Sequence, residues 1–233
     1  MTNEMNSISV NELTKIFPHP SKENTNIPIF AGATFQIDSN SLNFLLGISG
    51  SGKTTLFRIL ASLEPIDAGE VFFNELAIHN LTYKQRLNYL KQIGFLDQFP
   101  SKQLLLNLSV KENLDNSLLK RTNLPKEERM KRIMEIVNNF GIDHLLKKMV
   151  IHLSGGELRR LMIACNLIFE PTLLLCDEPT AHLDEENKFL VIKNLQDSLE
   201  YSNALIFIAT HDQTITSPKK TFEIKNRRIQ KCQ

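Results

Sequence analysis

Cysteine is scarce in this chain: Cys165, Cys176 and Cys232 are its three. The count is odd and no pair has C-x-x-C spacing, so neither a disulfide framework nor a zinc site is expected. Cys165 and Cys176 sit in apolar runs and read as small core residues, which fits a reducing compartment. A surplus of charge is also missing. Lys and Arg number 27 against 26 Asp and Glu, a net charge of +1, so no nucleic-acid partner is expected. No stretch reaches the roughly 18 to 20 apolar residues of a membrane span. The first residues show no basic region leading into an apolar run, so no signal peptide is expected. If the protein serves a membrane process, the spanning part is expected on another chain. There is no repeat period and no low-complexity block.

What is present is material for one large core: 233 residues, 42% of them apolar and 23% charged, ordinary values for a globular protein. Ser7 to Phe17 and Ile27 to Ile37 read as strands around a polar, proline-bearing loop at 18–26. Leu42-Asn43-Phe44-Leu45-Leu46 is a short buried-strand run that stops at Gly47. Thr54 to Ser62 follows with helical spacing, and Leu56, Ile59, Leu60 and Leu63 fall on one face. From about Pro100 to Leu167 the pattern turns helical, with a helix over Val110–Leu119 and another starting at Pro125 and stopping at Gly141. Leu173 to Cys176 and Leu205 to Ala209 are two further buried strands, each ending in polar residues, where doubly wound sheets hold their ligands. Short strands around Phe222–Ile224 and Arg228-Ile229 end the pattern, and no further regulatory domain is expected.

Three motifs carry chemistry. Gly47-Ile48-Ser49-Gly50-Ser51-Gly52-Lys53-Thr54 matches G-x-x-x-x-G-K-[ST], a phosphate-binding loop, and Thr55 continues into its helix. The glycines let backbone N–H groups converge on phosphate oxygens, and the helix points its positive end at the same anion. Lys53 would reach the β- and γ-phosphates, and the Thr54 hydroxyl would ligate Mg²⁺. Asp177 and Glu178 end a strand of four apolar residues. In this context Asp177 would hold Mg²⁺, and Glu178 would sit beside an attacking water as general base. Leu153-Ser154-Gly155-Gly156-Glu157 opens a helix and reads as a second anion cradle.

L-S-G-G-E, after G-I-S-G-S-G-K-T-T and before L-L-L-C-D-E, resembles the ABC ATPase family over nearly the whole chain. The resemblance implies an α/β fold: a P-loop NTPase core with a mostly parallel sheet, an antiparallel β subdomain and an inserted helical lobe. It implies one domain over 1–233 with the lobe at approximately 99–167. It implies two chains packed head to tail, one copy's Gly47–Thr55 and the other's Ser154–Glu157 sandwiching each ATP, and hydrolysis that drives a separate membrane permease. By the same resemblance Gln98 contacts Mg²⁺ and the attacking water. His211 touches the γ-phosphate, Asp184 lies in a dimer-contact loop at 181–184, and Phe17 stacks on adenine. The expected partners are a permease and a second copy of this chain, and the expected place is the cytoplasmic face of the membrane.

Residues 65–71, 93–98 and 108–114 are similar to the lipoprotein-releasing, macrolide-exporting and cell-division ATPases of that family. Departures from its pattern fall at Leu158, Cys165, Asn166 and His182, and at Asn226-Arg227, where Asn/Asp-Gly is common. The rival readings are a soluble non-transport ABC ATPase, another P-loop enzyme such as a kinase or GTPase, and a degenerate nucleotide-binding subunit. A kinase or GTPase would not need residues 153–157. Intact Lys53, Asp177, Glu178 and His211 argue against degeneracy.

Overall fold

The computed structural model describes residues 5–19, 25–39, 41–97, 103–181, 183–199, 202–215 and 220–232. In chain order the elements are β1 (Ser7–Pro18), β2 (Asn26–Asp38), β3 (Asn43–Leu46), α1 (Lys53–Leu60), β4 (Ala68–Phe73), β5 (Leu76–Ala77) and α2 (Tyr83–Lys91). Then come β6 (Ile93–Leu96), α3 (Val110–Arg121), α4 (Lys126–Asn139), α5 (Gly155–Leu167) and β7 (Leu173–Asp177). The chain ends with α6 (Glu185–Ser198), β8 (Leu205–Thr210), β9 (Thr221–Lys225) and β10 (Arg228–Lys231). The chain divides into two compact units, Met1–Leu90 with Leu205–Gln233, and Lys91–Ala204.

The first unit holds two sheets. One is antiparallel, in the order β2-β1-β4-β5. In the other, β3 runs parallel to both β8 and β9, and β10 closes antiparallel on β9. β8 is buried along its whole length and β3 at three of its four residues, the pattern of parallel strands covered on both faces. Helix α1 buries Leu56, Phe57, Ile59 and Leu60. Its Phe57 ring lies 5.2 Å from Phe207 of β8, and Phe35 of β2 joins the same cluster, 6.1 Å from Phe207. These rings give the unit its core. Leu63 departs from its expected place: α1 stops at Leu60, Ser62 turns left-handed at φ 54°, and Leu63 is 47% exposed.

β1 buries Ile8 and Val10, then Leu13 and Lys15, so its alternation slips by one residue. The slip is a β-bulge with Glu12 at φ 48°, and bulges of this kind sharpen the local twist. Gly69 of β4 makes room for it. Gly69 has φ 91°, and a Cβ there would fall 2.4 Å from the Glu12 carbonyl oxygen and 2.6 Å from that of Asn11. The β9–β10 turn is closed by Asn226 at φ 50° and Arg227 at φ 65°. It keeps the two left-handed positions of a type I′ hairpin although neither residue is glycine.

In the second unit β6 and β7 pair in parallel, Ile93 opposite Leu173, and α5 packs on β6 and α3. Helix α3 starts in a reciprocal capping box between Ser109 and Glu112. Pro125 occupies the cap of α4, which buries Ile133, Ile136 and Val137 as its spacing requires. Arg129 of α4 reaches Asp115 of α3 at 2.6 Å. Cys165 and Cys176 are buried, and burial pushes the Cys165 thiol up to about 12. The departures at Cys165 and Asn166 are thus core positions, and Asn166 is used: its Oδ1 accepts from Phe95 N at 3.1 Å. Helices α2 and α6 have no counterpart in the sequence reading. Among the described residues no helix is long and apolar enough to cross a membrane.

Two substitutions separate the bulge from the turn. Gly69→Ala is expected to lower unfolding free energy by about 2 kcal/mol or more, since strain and backbone clash add. Arg227→Gly is expected to raise it by about 0.5–1 kcal/mol by relieving a left-handed arginine. Urea unfolding followed by circular dichroism reads both.

Candidate nucleotide site

The first unit carries the phosphate loop between β3 and α1. Gly50 has φ 78° and Gly52 φ 106°, conformations a side chain would strain. At Gly52 space is short as well, because a Cβ would come within 2.6 Å of Ile29 Cγ2 and 3.1 Å of the Phe30 ring. A Cβ on Gly47 would meet Ser51 Oγ at 2.4 Å. Gly50 and Gly52 are thus strained for any side chain, and Gly52 has no space for one. Among the described residues the buried Ser51 Oγ has no hydrogen-bond partner, a cost that an anion accepting its hydroxyl would remove. Helix α1 begins with no side-chain cap at Gly52, so its N-terminal dipole is not neutralised by an acid of its own. Lys53 is 7% exposed, and its Nζ donates to the carbonyls of Gly47 at 2.7 Å and Ile48 at 3.3 Å. The ammonium thus lies along the loop. Ile48, Ser49 and Thr54 are exposed, and Thr55 is half-buried.

His211 follows β8 and is exposed. The chain there is held by Asp212, whose N–H donates to Thr210 Oγ1 at 3.0 Å and whose Oδ1 accepts from Thr214 N at 3.0 Å. Phe17, near the end of β1, is half-buried opposite Ile27 of β2.

The second unit carries the acids. β7 is buried at every residue, and Asp177 and Glu178 remain buried as the strand ends. Glu178 has φ 50°. A left-handed, buried glutamate is uncommon and is retained where surrounding structure enforces it, often at functional sites. The turn is closed by Ala181 N donating to the Glu178 carbonyl at 3.1 Å. Asp184 then caps α6, accepting from Asn187 N at 2.8 Å.

The glycine-bearing start of α5 is built differently from that of α1. Ser154 Oγ accepts from Glu157 N at 3.3 Å, and Glu157 Oε2 accepts from Ser154 N at 2.8 Å. The Glu157 carboxylate also lies 3.4 Å from Lys148 Nζ. Its backbone bond to Ser154, foremost, holds its carboxyl below the usual range. Glu157 is therefore occupied as a cap. Gly155 is open, whereas a Cβ on Gly156 would meet Asn187 Oδ1 at 2.3 Å. Asn187, through its bonds to Asp184, links the α5 start to the cap of α6. Sequence reasoning missed this link, for no motif contains it. Gln98 and His182 lie outside the described residues.

Taken singly, the first unit offers the Thr54 hydroxyl and the second the Asp177 carboxylate, each an oxygen donor of the kind a hard cation takes. A phosphate loop at the end of a buried parallel strand, with an acid pair at the end of another, defines a P-loop nucleoside-triphosphate hydrolase. Residues 30–181 match the family model described as ABC transporter; the chain belongs to that family. It is 34% identical over 197 residues to the lipoprotein-releasing system ATP-binding protein LolD of Ehrlichia canis, covering 83% of this chain and 85% of that one. It is 30% identical over 224 residues to a putative hemin import ATP-binding protein, HrtA, of Staphylococcus saprophyticus, covering 96% of each. Among solved structures it is similar to CbiO1 of Clostridium perfringens, with TM-score 0.84 and 29% identity over 95% of this chain and 86% of that one. The chain is an ATP-binding, ATP-hydrolysing subunit of the ABC transporter class, and its fold is that of an ABC ATPase cassette.

Gly156→Ala is expected to keep the fold but lower ATPase turnover by about ten- to a hundredfold, because Asn187 must move and the α5 start with it. Adding Asn187→Ala should restore much of the loss. Steady-state phosphate release from the single and double variants measures this.

Proposed function

We propose that the chain works as one ATPase domain over 1–233, with a helical lobe at about 99–167. In this reading it pairs head to tail with a second copy and drives a separate permease from the cytoplasmic face of the membrane. The observation that carries the reading is one chain holding two glycine-bearing helix starts of different build. One is a loop whose helix lacks a side-chain cap and whose Ser51 hydroxyl has no partner among the described residues, and the other is a self-capped start at Ser154. A single ATP needs one of each, so two copies supply two complete sites. The name of the Ehrlichia canis relative favours the lipoprotein-releasing branch over others.

In this reading Phe17 stacks on adenine, and residues 47–55 hold the phosphates with Lys53 on the β- and γ-groups. Thr54, Asp177 and Gln98 would hold a Mg²⁺, which would supply positive charge to the phosphates. Glu178 takes the proton of a water that attacks the γ-phosphorus in line as the bond to ADP breaks. Gln98 orients that water, and His211 donates to the γ-phosphate. Ser154, Gly155, Gly156 and the backbone of Glu157 close on the phosphates bound by the other copy. Water is excluded only on closure, so turnover follows pairing.

Glu178→Gln is expected to retain ATP binding while turnover falls by at least about a hundredfold. Unchanged phosphate release would remove Glu178 from the base role. The tagged chain purified from solubilised membranes should bring one permease in fixed ratio, identified by mass spectrometry. Recovery from the soluble fraction alone would replace the transport reading with a non-transport ABC ATPase.

A further inference from the structure

Lys15 is 5% exposed, and lysine is seldom buried unless it is paired. Its Nζ lies 2.8 Å from Glu64 Oε1. The same ammonium stands over the ring of Phe17, 4.7 Å from its centroid. Glu64 belongs to the segment that leaves α1, and its other oxygen is 4.0 Å from Arg58 Nε in the last turn of that helix. Three residues on, Asp67 grips the same stretch of β1. Its Oδ2 accepts from Ile16 N at 2.6 Å, and its N–H donates to the Thr14 carbonyl at 3.0 Å. The Phe17 ring is thereby tied to the far end of the helix whose near end is the phosphate loop.

Two physical consequences follow. The ammonium occupies one face of the ring, so a planar base can use only the other. A cation on one face also draws π-density toward itself, which leaves the opposite face a better partner for an electron-rich, polarisable ring. A purine gains more from that than a smaller pyrimidine. We infer that Lys15, anchored by Glu64, is a positioning residue that selects the nucleotide base through Phe17. The inference rests on the reading of Phe17 as the base platform. Lys15 touches no phosphate in this account, so its influence is confined to the base.

The test is equilibrium binding of ATP, CTP and inorganic tripolyphosphate to the purified chain. In Lys15→Met/Glu64→Gln both charges go together, so no carboxylate is left buried alone. ATP affinity is expected to fall about three- to tenfold, with tripolyphosphate affinity unchanged and the ATP-to-CTP preference reduced. Lys15→Arg should keep most of the preference. Glu64→Gln alone, which leaves the ammonium but loosens its anchor, should give a smaller loss in the same ratio and serves if the double variant does not fold. Equal losses for ATP and tripolyphosphate would make Lys15 a structural residue and overturn the inference. An unchanged ratio in the double variant, beside a lowered one in Phe17→Ala, would overturn it while sparing the platform. No change of ratio in Phe17→Ala would overturn the platform reading itself.

Discussion

A polyphosphate can be held in a protein interior only by donors that carry no competing bulk, and backbone N–H groups are the densest supply. That requirement organises the first unit. The loop must leave a strand whose end cannot move, and β3, hydrogen-bonded on both sides by β8 and β9, provides one. It must then turn through conformations closed to side chains, which Gly50 and Gly52 supply. Gly52 also packs against Ile29 and Phe30, so the antiparallel sheet buttresses the loop from behind. Through β2 the same sheet holds β1, which carries Phe17. The phosphate cradle and the aromatic candidate are thus fixed by one continuous set of contacts.

The second unit meets a different demand, two carboxylates held at low exposure without a disordered strand end. The run of Leu173 to Cys176 provides the anchor, since each residue is buried and the strand is paired to β6. Its stability is what can support Glu178 in the left-handed region, at a cost of order 1–3 kcal/mol that the surrounding packing must offset. In the proposed reading Glu178 is a base that must meet water in one orientation, and it gains from such fixation because a freer glutamate would spend its time elsewhere.

How much of this could be read from residues alone depends on whether the signal is local. β3, β7 and β8 are short apolar runs cut by glycine or acid, and their positions match the expectation. The phosphate loop and the α5 start are written in consecutive residues. Helix α2 was not legible because among its nine residues only Tyr89 is buried, so there is no apolar stripe to count. Helix α6 buries only Val191, Leu195 and Ser198, too sparse a face. The bulge at Asn11-Glu12 answers to Gly69, and Lys15 answers to Glu64, pairs far apart in sequence whose meeting is a property of the fold. Leu63 was misplaced because helical spacing does not announce where a helix stops. Gln98 and His182 lie outside the described residues, so their sequence assignments stand as expectations.

The two helix starts also differ in what they do to an anion before any partner arrives. At α1 there is no acid in the first turn, and a buried lysine lies along the loop. At α5 the carboxylate of Glu157 sits in the first turn, and its bond from Ser154 keeps it ionised to lower pH than an ordinary glutamate. It offsets part of the helix dipole that would attract phosphate, and Lys148 at 3.4 Å compensates only in part. In the proposed reading this asymmetry sets an order. The nucleotide is captured by the phosphate loop alone, where the field favours it. The α5 start, self-capped and nearly neutral, then gains from phosphate contact only when a bound γ-group is brought to it. An α5 start as attractive as the loop would compete for free phosphate, and closure would lose its dependence on ATP.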